Sequence, residues 1–366
     1  MSGGVDSSVA AALLAREPDA EVVGVTLRLS SSGTCSSDDA VAAARSAADV
    51  LGIRHHVLGC NDAFEEQVLR RAWADYARGR TPNPCVWCNP AIKFGVLWEH
   101  AVALGASFIA TGHHASIERA GAGPPALLRG VDLDKDQSYF LFAVAAERLA
   151  VTLLPLGSMT KAEVRSAARA AGLPNAERPE SQDACLVGED GFAETLRRRF
   201  GGTPRPGEIV DASGRVVGRH EGIHRFTVGQ RRGLGVAVGQ RAYVTSIDAS
   251  RDRVVIDRDP EALLSMAVDV RGVQWLVPPE APALDAPVLD ASALDAPVLD
   301  AEVQIRYRHT AAAARLRLDV DHPGRVVVDF QEPQRAVTPG QAAVFYRGRR
   351  VLGGGWIERP LRRGAH

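Results

Sequence analysis

The sequence predicts an α/β domain built on a parallel sheet, followed by a small central β-rich domain and a further all-β region. Three observations lead there. Up to about residue 200, short β-branched runs alternate with alanine-rich amphipathic stretches, the pattern of strand–helix–strand units. Beyond Pro204 the pattern changes to short alternating strands punctuated by glycine turns, and from about Met266 onward the chain reads as all-β. At 366 residues the chain is too long for a single core, and the expected domains span 1–200, 201–262 and 263–366.

Taken in order, Glu21–Leu29 and Arg54–Leu58 read as strands around a helix at Asp38–Leu51. Helices are expected around Ala63–Arg78 and Ile92–Leu104, then a buried strand at Ser107–Thr111 that runs into Gly112-His113-His114. Two more helices are expected near Lys161–Ala171 and Gly191–Phe200. Tyr243–Asp248, Arg253–Asp257, Arg325–Phe330 and Ala343–Tyr346 alternate as strands, and Gly353-Gly354-Gly355 reads as a tight turn or bulge. The octapeptide ALDAPVLD at Ala283–Asp290 recurs letter for letter at Ala293–Asp300; the segment 281–300 is expected to be a low-complexity loop insertion. Two short copies are too few for a solenoid.

Hydrophobic residues make up 46% of the chain and charged residues 24%, an ordinary globular balance. No apolar run approaches the roughly 18 residues that span a bilayer, and Met1 is followed by a glycine turn instead of a secretory signal, so no membrane partner is expected. Five cysteines, an odd number in a long chain, argue against a secreted disulfide scaffold and for a reducing cytoplasm. The net charge of −1 means that a nucleic-acid partner would be held by local patches, such as Arg197–Arg199 or Arg231-Arg232, and by shape.

Ser2-Gly3-Gly4-Val5-Asp6-Ser7 runs directly into the helix-forming Ser8–Leu14. Glycines allow a phosphate to approach the backbone, and a helix N-terminus attracts anions through its open N–H groups and dipole. A Walker A loop is excluded, because none of Lys93, Lys135 and Lys161 follows a glycine. The run resembles the pyrophosphate loop (PP-loop) of the ATP pyrophosphatases. That resemblance implies that Ser2, Gly3, Gly4, Val5, Asp6 and Ser7 cradle the phosphates of ATP with Mg²⁺, and that Leu27 and Gly112 contact adenosine. The family places a strand before this loop; here only Met1 precedes it, so that first strand is expected to be missing.

Thr81-Pro82-Asn83-Pro84-Cys85-Val86-Trp87-Cys88 carries a C-x-x-C, and Cys185 follows in Ser181-Gln182-Asp183-Ala184-Cys185. By itself a C-x-x-C is a redox pair, half a zinc site or a set of iron–sulfur ligands. TPNPCVWCN with Ile92-Lys93-Phe94, Gly112-His113, Lys135–Leu141 (KDQSYFL), SQDAC, Thr227–Gly235 (TVGQRRGLG), Arg306-Tyr307-Arg308 and Thr338–Tyr346 (TPGQAAVFY) together resemble the tRNA-specific 2-thiouridylase family across nearly the whole chain. The resemblance implies a Rossmann-like (HUP, adenine nucleotide alpha hydrolase) PP-loop domain, a central tRNA-binding domain and a C-terminal β-barrel. It implies ATP-dependent adenylation of the wobble uridine O2, Cys185 as the persulfide carrier and Cys88 as the second catalytic cysteine, the pair ending as a disulfide bond. Asn83, Pro84 and Cys85 would border the flipped uracil, and His113, Lys135, Asp136, Gln137, Arg306, Tyr307 and Gln341 would contact the anticodon arm of tRNA. A sulfur-donor protein, either a cysteine desulfurase or a sulfur relay, is the other implied partner.

Many relatives carry aspartate at the position of Cys85. Cysteine supplies a third thiol, so Cys85, Cys88 and Cys185 are also a candidate ligand set for an iron–sulfur cluster with one open iron. The persulfide and cluster routes both stay open. So do two alternative readings: another PP-loop ATP pyrophosphatase, such as an amidating synthetase with no use for Cys88 and Cys185, and a tRNA-binding homologue impaired by the missing strand.

Overall fold

The computed structural model describes residues 1–29, 38–119, 123–179, 191–201, 203–236, 239–279 and 298–361. The chain divides into two compact units. The first comprises Met1–Val68, Pro84–Phe192 and Arg349–Val351; the second comprises Leu69–Asn83, Ala193–Gly348 and Leu352–His366.

The first unit is α/β, as expected. Its elements in chain order are α1 (Val5–Leu14), β1 (Val23–Arg28), α2 (Asp38–Leu51), β2 (Arg54–Gly59) and α3 (Asn61–Phe64). After the excursion into the second unit, where α4 (Arg70–Ala77) lies, come α5 (Pro84–Cys88), α6 (Leu97–Ala103), β3 (Ile109–Ala110), β4 (Ala115–Glu118), β5 (Ala126–Arg129), α7 (Ala146–Ala150), β6 (Thr152–Leu153), α8 (Lys161–Ala170) and the start of α9 (Phe192–Leu196). β1 and β2 pair in parallel, Val23 opposite Arg54 and Arg28 opposite Gly59. β3 and β6 form a second parallel pair.

Helix α2 has the predicted bounds because Ala40, Ala44, Ala47 and Ala48 recur on one face and are buried there. α1 and α8 bury Val5, Val9, Ala12, Val164 and Ala168 in a common core. A capping box starts α8: the Thr160 hydroxyl and the Glu163 carboxylate satisfy each other's backbone N–H groups. Met1 lies along β1, its amine donating to Val25 O and its carbonyl accepting from Thr26 Oγ1 at 2.6 Å.

Three predicted helices differ from expectation, and the one read at Gly191–Phe200 is α9 followed by a π-helical segment, Arg197–Gly201. The stretch read as one helix over Ala63–Arg78 is α3, a π-helical segment Glu65–Leu69 and α4. The helix read at Ile92–Leu104 is α6 preceded by a π-helical segment, Asn89–Val96. In the latter a Cβ on Gly95 would stand 2.9 Å from Pro90 O, a contact that the wider turn makes and only glycine tolerates. Over one or two turns, apolar spacing does not distinguish i→i+4 from i→i+5 bonding.

The second unit contains a four-stranded sheet of order β8-β7-β10-β9, from β7 (Gly207–Val210), β8 (Val216–His220), β9 (Tyr243–Asp248) and β10 (Arg253–Asp257). It closes over Ile209, Phe226, Val244, Val254 and Ile256. The remaining strands are β11 (Leu264–Trp275), β12 (Val298–Gln304), β13 (Ala312–Leu318), β14 (Arg325–Arg335), β15 (Ala342–Arg347) and β16 (Arg350–Leu361). They run in the order β11-β14-β13-β12-β15-β16, and β16 returns to β11, closing a six-stranded barrel. Strict alternation on β14 sends Val326, Val328 and Phe330 into the barrel core. Asp269 is fully buried in the barrel wall, and its charge is met by the Arg325 guanidinium at 3.0 Å and by Arg271 at 3.3 Å.

Two expectations about this region need correction. The last residues of the repeat, Val298–Asp300, are not loop: they open β12, and Leu299 is in the barrel core, because V-L-D-A-E-V-Q alternates on the strand period. Removing all of 283–300 would therefore remove part of a barrel strand; 280–297 lie outside the described residues. Of the two readings of Gly353–Gly355 only the turn is wrong: the glycines lie in the middle of β16, opposite a register irregularity between Arg271 and Gln274 of the facing strand. At Gly353 (φ +155°) a Cβ would sit 2.3 Å from Gln274 O, so this glycine permits close strand approach. Gly353→Ala should therefore cost about 2 kcal/mol or more of barrel stability, read by urea unfolding; an unchanged midpoint would show that the strands separate freely there.

Candidate nucleotide and thiol site

The site grows from the N-terminus of α1. Its N-cap, Gly4, is extended (φ −83°, ψ 157°) and offers no side chain, so the first-turn N–H groups are not capped by one. Gly3 is left-handed (φ +77°), and a Cβ there would stand 2.4 Å from Ala40 O; the loop packs directly on α2 only because glycine is present. The Ser2 N–H donates to Ser7 Oγ at 3.0 Å, and Asn175, buried in the turn after α8, donates to Gly3 O at 3.0 Å and to Ser8 Oγ at 2.9 Å. Arg178 reaches the same carbonyl at 3.5 Å.

Gly112 lies against this loop. A Cβ would be 2.6 Å from Ser7 N and 2.7 Å from Asp6 C. The neighbouring His114 brings Nε2 to 3.4 Å from Asp6 Oδ1, and Lys161 grips both Asp6 oxygens at 2.6 and 2.8 Å. Burial raises the Asp6 pKa, but the hydrogen bonds from His114 and Lys161 and the lysine charge outweigh it and hold the carboxyl below its ordinary 3.8. Lys161 is the first residue of α8, where its backbone N–H donates to Asp132 Oδ2 at 2.9 Å.

From this loop a line of contacts leads to the C-x-x-C. His113 stacks on Phe94 at 6.1 Å, with Nδ1 2.8 Å from Thr111 Oγ1 and Nε2 3.4 Å from Lys93 Nζ. Burial, then the adjacent Lys93 charge, pushes its pKa well below 6.5, so the ring is neutral. Accepting from Lys93 at Nε2 places its proton on Nδ1, toward Thr111. Asn89, just after Cys88, donates to Cys85 O and to Phe140 O, both at 3.0 Å. Cys85 and Cys88 are one turn apart on α5 and so share a face; Cys88 is buried and Cys85 half-buried. Cys60 is buried elsewhere, and burial pushes its thiol up, which keeps it protonated.

The other sequence-selected residues are placed as follows. Leu27 is half-buried on β1 opposite Leu58. Lys135 is half-buried; Asp136 holds its own loop, accepting from Gly130 N and Ser138 N at 3.0 Å and from Ser138 Oγ at 2.8 Å. Gln137 exchanges hydrogen bonds with the backbone of His114, 3.0 Å through its side chain and 2.9 Å through its N–H. Asn83, Arg306, Tyr307 and Gln341 belong to the second unit, where Arg306 donates to Arg335 O at 3.1 Å and Gln341 to Thr81 O at 2.8 Å. Cys185 lies outside the described residues, and with it the expected Cys88–Cys185 disulfide and the third cluster ligand.

Sequence reasoning passed over Lys161, His114 and Asn175. One signal for Lys161 was present: the T-K-A-E capping box places a lysine at a helix N-terminus, where the dipole disfavours it unless an anion is near. His114 and Asn175 had none, since only folding brings them to Asp6 and Gly3.

Family models described as the tRNA methyl transferase HUP domain, its PRC-barrel domain and an aminomethyltransferase beta-barrel domain match residues 1–189, 194–258 and 286–357. The tRNA-specific 2-thiouridylase MnmA of Geobacter metallireducens is 43% identical over 100% of this chain and 97% of its own length. Its counterparts in Synechococcus sp. JA-3-3Ab (46%; 98% of this chain, 93% of theirs) and Solibacter usitatus (44%; 98% of each) are as similar. The chain belongs to the tRNA-specific 2-thiouridylase family. Within that family's three-part plan, the HUP model covers the PP-loop and both C-x-x-C cysteines, the PRC-barrel model β7–β10, and the last model the strands from β12 into β16.

The Asp6–Lys161 pair has a pH signature. A carboxyl held below 3.8 contributes stability that is fully present above that value and is lost as pH falls through the lower folded value. Lys161→Met leaves burial with less to oppose it, so acid unfolding of the first unit should begin at higher pH than in the wild type. An unchanged acid limb would show that the pair does not stabilise the loop.

Proposed function

We propose that the chain catalyses ATP-dependent 2-thiolation of the wobble uridine of tRNA in the cytoplasm. The observation that carries this reading is the line of contacts within one unit, from the PP-loop through Gly112–His114 and Lys93 to the segment bearing Cys85 and Cys88. It joins a site suited to pyrophosphate with one suited to sulfur.

In this reading the uridine O2 attacks the α-phosphorus of ATP and pyrophosphate leaves, so that AMP becomes the leaving group at C2. The α1 N–H groups and Lys161 stabilise the departing negative charge. Asp6 and Ser7 supply hard oxygen donors that fit Mg²⁺, which neutralises phosphate charge when bound. Lys161 covers both Asp6 oxygens, so it must yield one of them to the metal. The terminal sulfur of a Cys185 persulfide then attacks C2 and expels AMP. The Cys88 thiolate attacks Cys185 Sγ, releasing the thiolated base and leaving a Cys88–Cys185 disulfide that an external thiol reduces.

A second reading is favoured by one observation: Cys85 shares the α5 face with Cys88. Those two thiolates fit two ligands of an iron–sulfur cluster, with Cys185 as the third, and the cluster would present sulfide at its open iron. On the RNA side, Asn83, Pro84 and Cys85 border the uracil. Lys135 meets a phosphate from the loop that Asp136 braces, Gln137 and His113 hold the neighbouring turn, and Arg306, Tyr307 and Gln341 contact the anticodon arm. Sulfur arrives from a cysteine desulfurase or a relay protein.

The deciding assay combines purified protein, tRNA, ATP and a persulfide donor under anaerobic conditions, with AMP and 2-thiouridine measured separately. Cys88→Ala should abolish 2-thiouridine and limit AMP to about one equivalent per enzyme, with the tRNA held on Cys185, Lys161→Ala should slow AMP formation by about 10- to 100-fold, and Cys60→Ser should change neither. Tight tRNA binding with neither product would identify an impaired homologue. Stoichiometric iron lost in Cys85→Ala would select the cluster route, and an iron-free active protein the persulfide route.

A further inference from the structure

The second unit takes hold of the polypeptide just before it delivers the C-x-x-C. Leu69–Asn83 belongs to that unit, and Pro84 onward to the first. Within the second unit every polar group of Thr81 is engaged. Its N–H donates to Pro339 O at 2.8 Å, its carbonyl accepts from Gln341 Nε2 at 2.8 Å, and its hydroxyl donates to Thr227 Oγ1 at 3.1 Å.

The flanking residues are held as tightly. Arg80 bridges to Glu358 at 2.6 Å and donates to Ile357 O at 3.1 Å. Two left-handed glycines make room for the arm: a Cβ on Gly79 (φ +70°) would be 2.7 Å from Ile247 Cγ2, and one on Gly340 (φ +92°) 3.0 Å from both Thr81 N and Thr81 O. The arm is thus fixed between the four-stranded sheet and its β8–β9 connection, through Ile247 and Thr227 respectively, and the barrel, through Pro339, Gln341 and Glu358. Beyond it, Pro82 and Pro84 lock their φ angles, so Thr81-Pro82-Asn83-Pro84-Cys85 has little freedom to absorb a shift at its start.

We propose that Gln341 and Thr227 are positioning residues: by clasping Thr81 they set where the rigid Pro82–Pro84 stretch delivers Cys85 and Cys88. This rests on the thiolation reading above for its effect on rate. The clasp itself makes no use of that reading. The side-chain amide of Gln341 that would meet RNA already has one N–H committed to Thr81, so loss of Gln341 should act on the thiols before it acts on tRNA affinity.

Gln341→Glu, which sets a carboxylate against the Thr81 carbonyl, and Thr227→Val, which removes only a hydroxyl, are compared with wild type after their melting curves are matched. Single-turnover thiolation at saturating tRNA should fall about tenfold and about threefold respectively, and in Thr227→Val, which the reading gives no RNA contact, the tRNA dissociation constant should stay within about twofold. Thr227→Ser should restore the rate. The double variant should be little worse than Gln341→Glu, since both act on one residue. Trypsin cleavage after Arg78 and Arg80 and iodoacetamide labelling of Cys85 should both accelerate, and these two readings need no thiolation activity. A weakened dissociation constant with an unchanged saturating rate would make Gln341 an RNA contact alone and overturn the proposal. So would wild-type cleavage and labelling rates in both variants, whether or not the wild type thiolates tRNA.

Discussion

Three parts of the first unit that are far apart in sequence meet at one carboxylate. Asp6 opens the first helix, His114 follows the short strand β3, and Lys161 begins α8. The carboxylate is half-buried, and burial penalises its charge, which His114 and Lys161 offset. The phosphate loop, the Gly112 turn and the start of α8 are therefore coupled through one side chain. The positive charge that a Walker A loop carries within itself is here brought by tertiary structure, from a helix that begins near the end of the same unit.

The sequence was legible where one rule decides the outcome. The bounds of α2 follow from alanines on a single face, and those of β9 and β10 from strict alternation. The glycines of the PP-loop and the two cysteines of α5 were visible because their chemistry is local. What escaped was decided at a distance or by a rule that admits two answers. Glycine marks turns and also close strand approach, and at Gly353 the second applies. Helical spacing is shared by α and π turns, and the π segment after Cys88 accommodates the Asn89 amide bridging Cys85 O and Phe140 O. The Lys161–Asp6 pair needed the fold itself.

The β elements of the second unit do more than form a separate module. Leu69–Asn83 interrupts what the sequence suggests is one continuous catalytic domain, and its excursion is held by side chains from two β-rich parts of the chain. The three-domain description and the physical units therefore differ, because the sequence order of a segment does not determine which core it packs against. The fully buried Asp269 in the barrel wall shows the same economy: a buried charge is kept where Arg325 and Arg271 can answer it, and the strands that carry these residues are thereby held in register.

The duplicated octapeptide has a different kind of consequence. Because Val298–Asp300 closes the second copy and also opens β12, excising ten residues, one copy with its two-residue spacer, would leave Val-Leu-Asp-Ala-Glu-Val-Gln unbroken. Slippage during replication of such a repeat can lengthen or shorten the chain here in whole units while the barrel seam receives the same strand each time. A change of length by whole ten-residue units therefore leaves the sequence of β12 in this chain as it is.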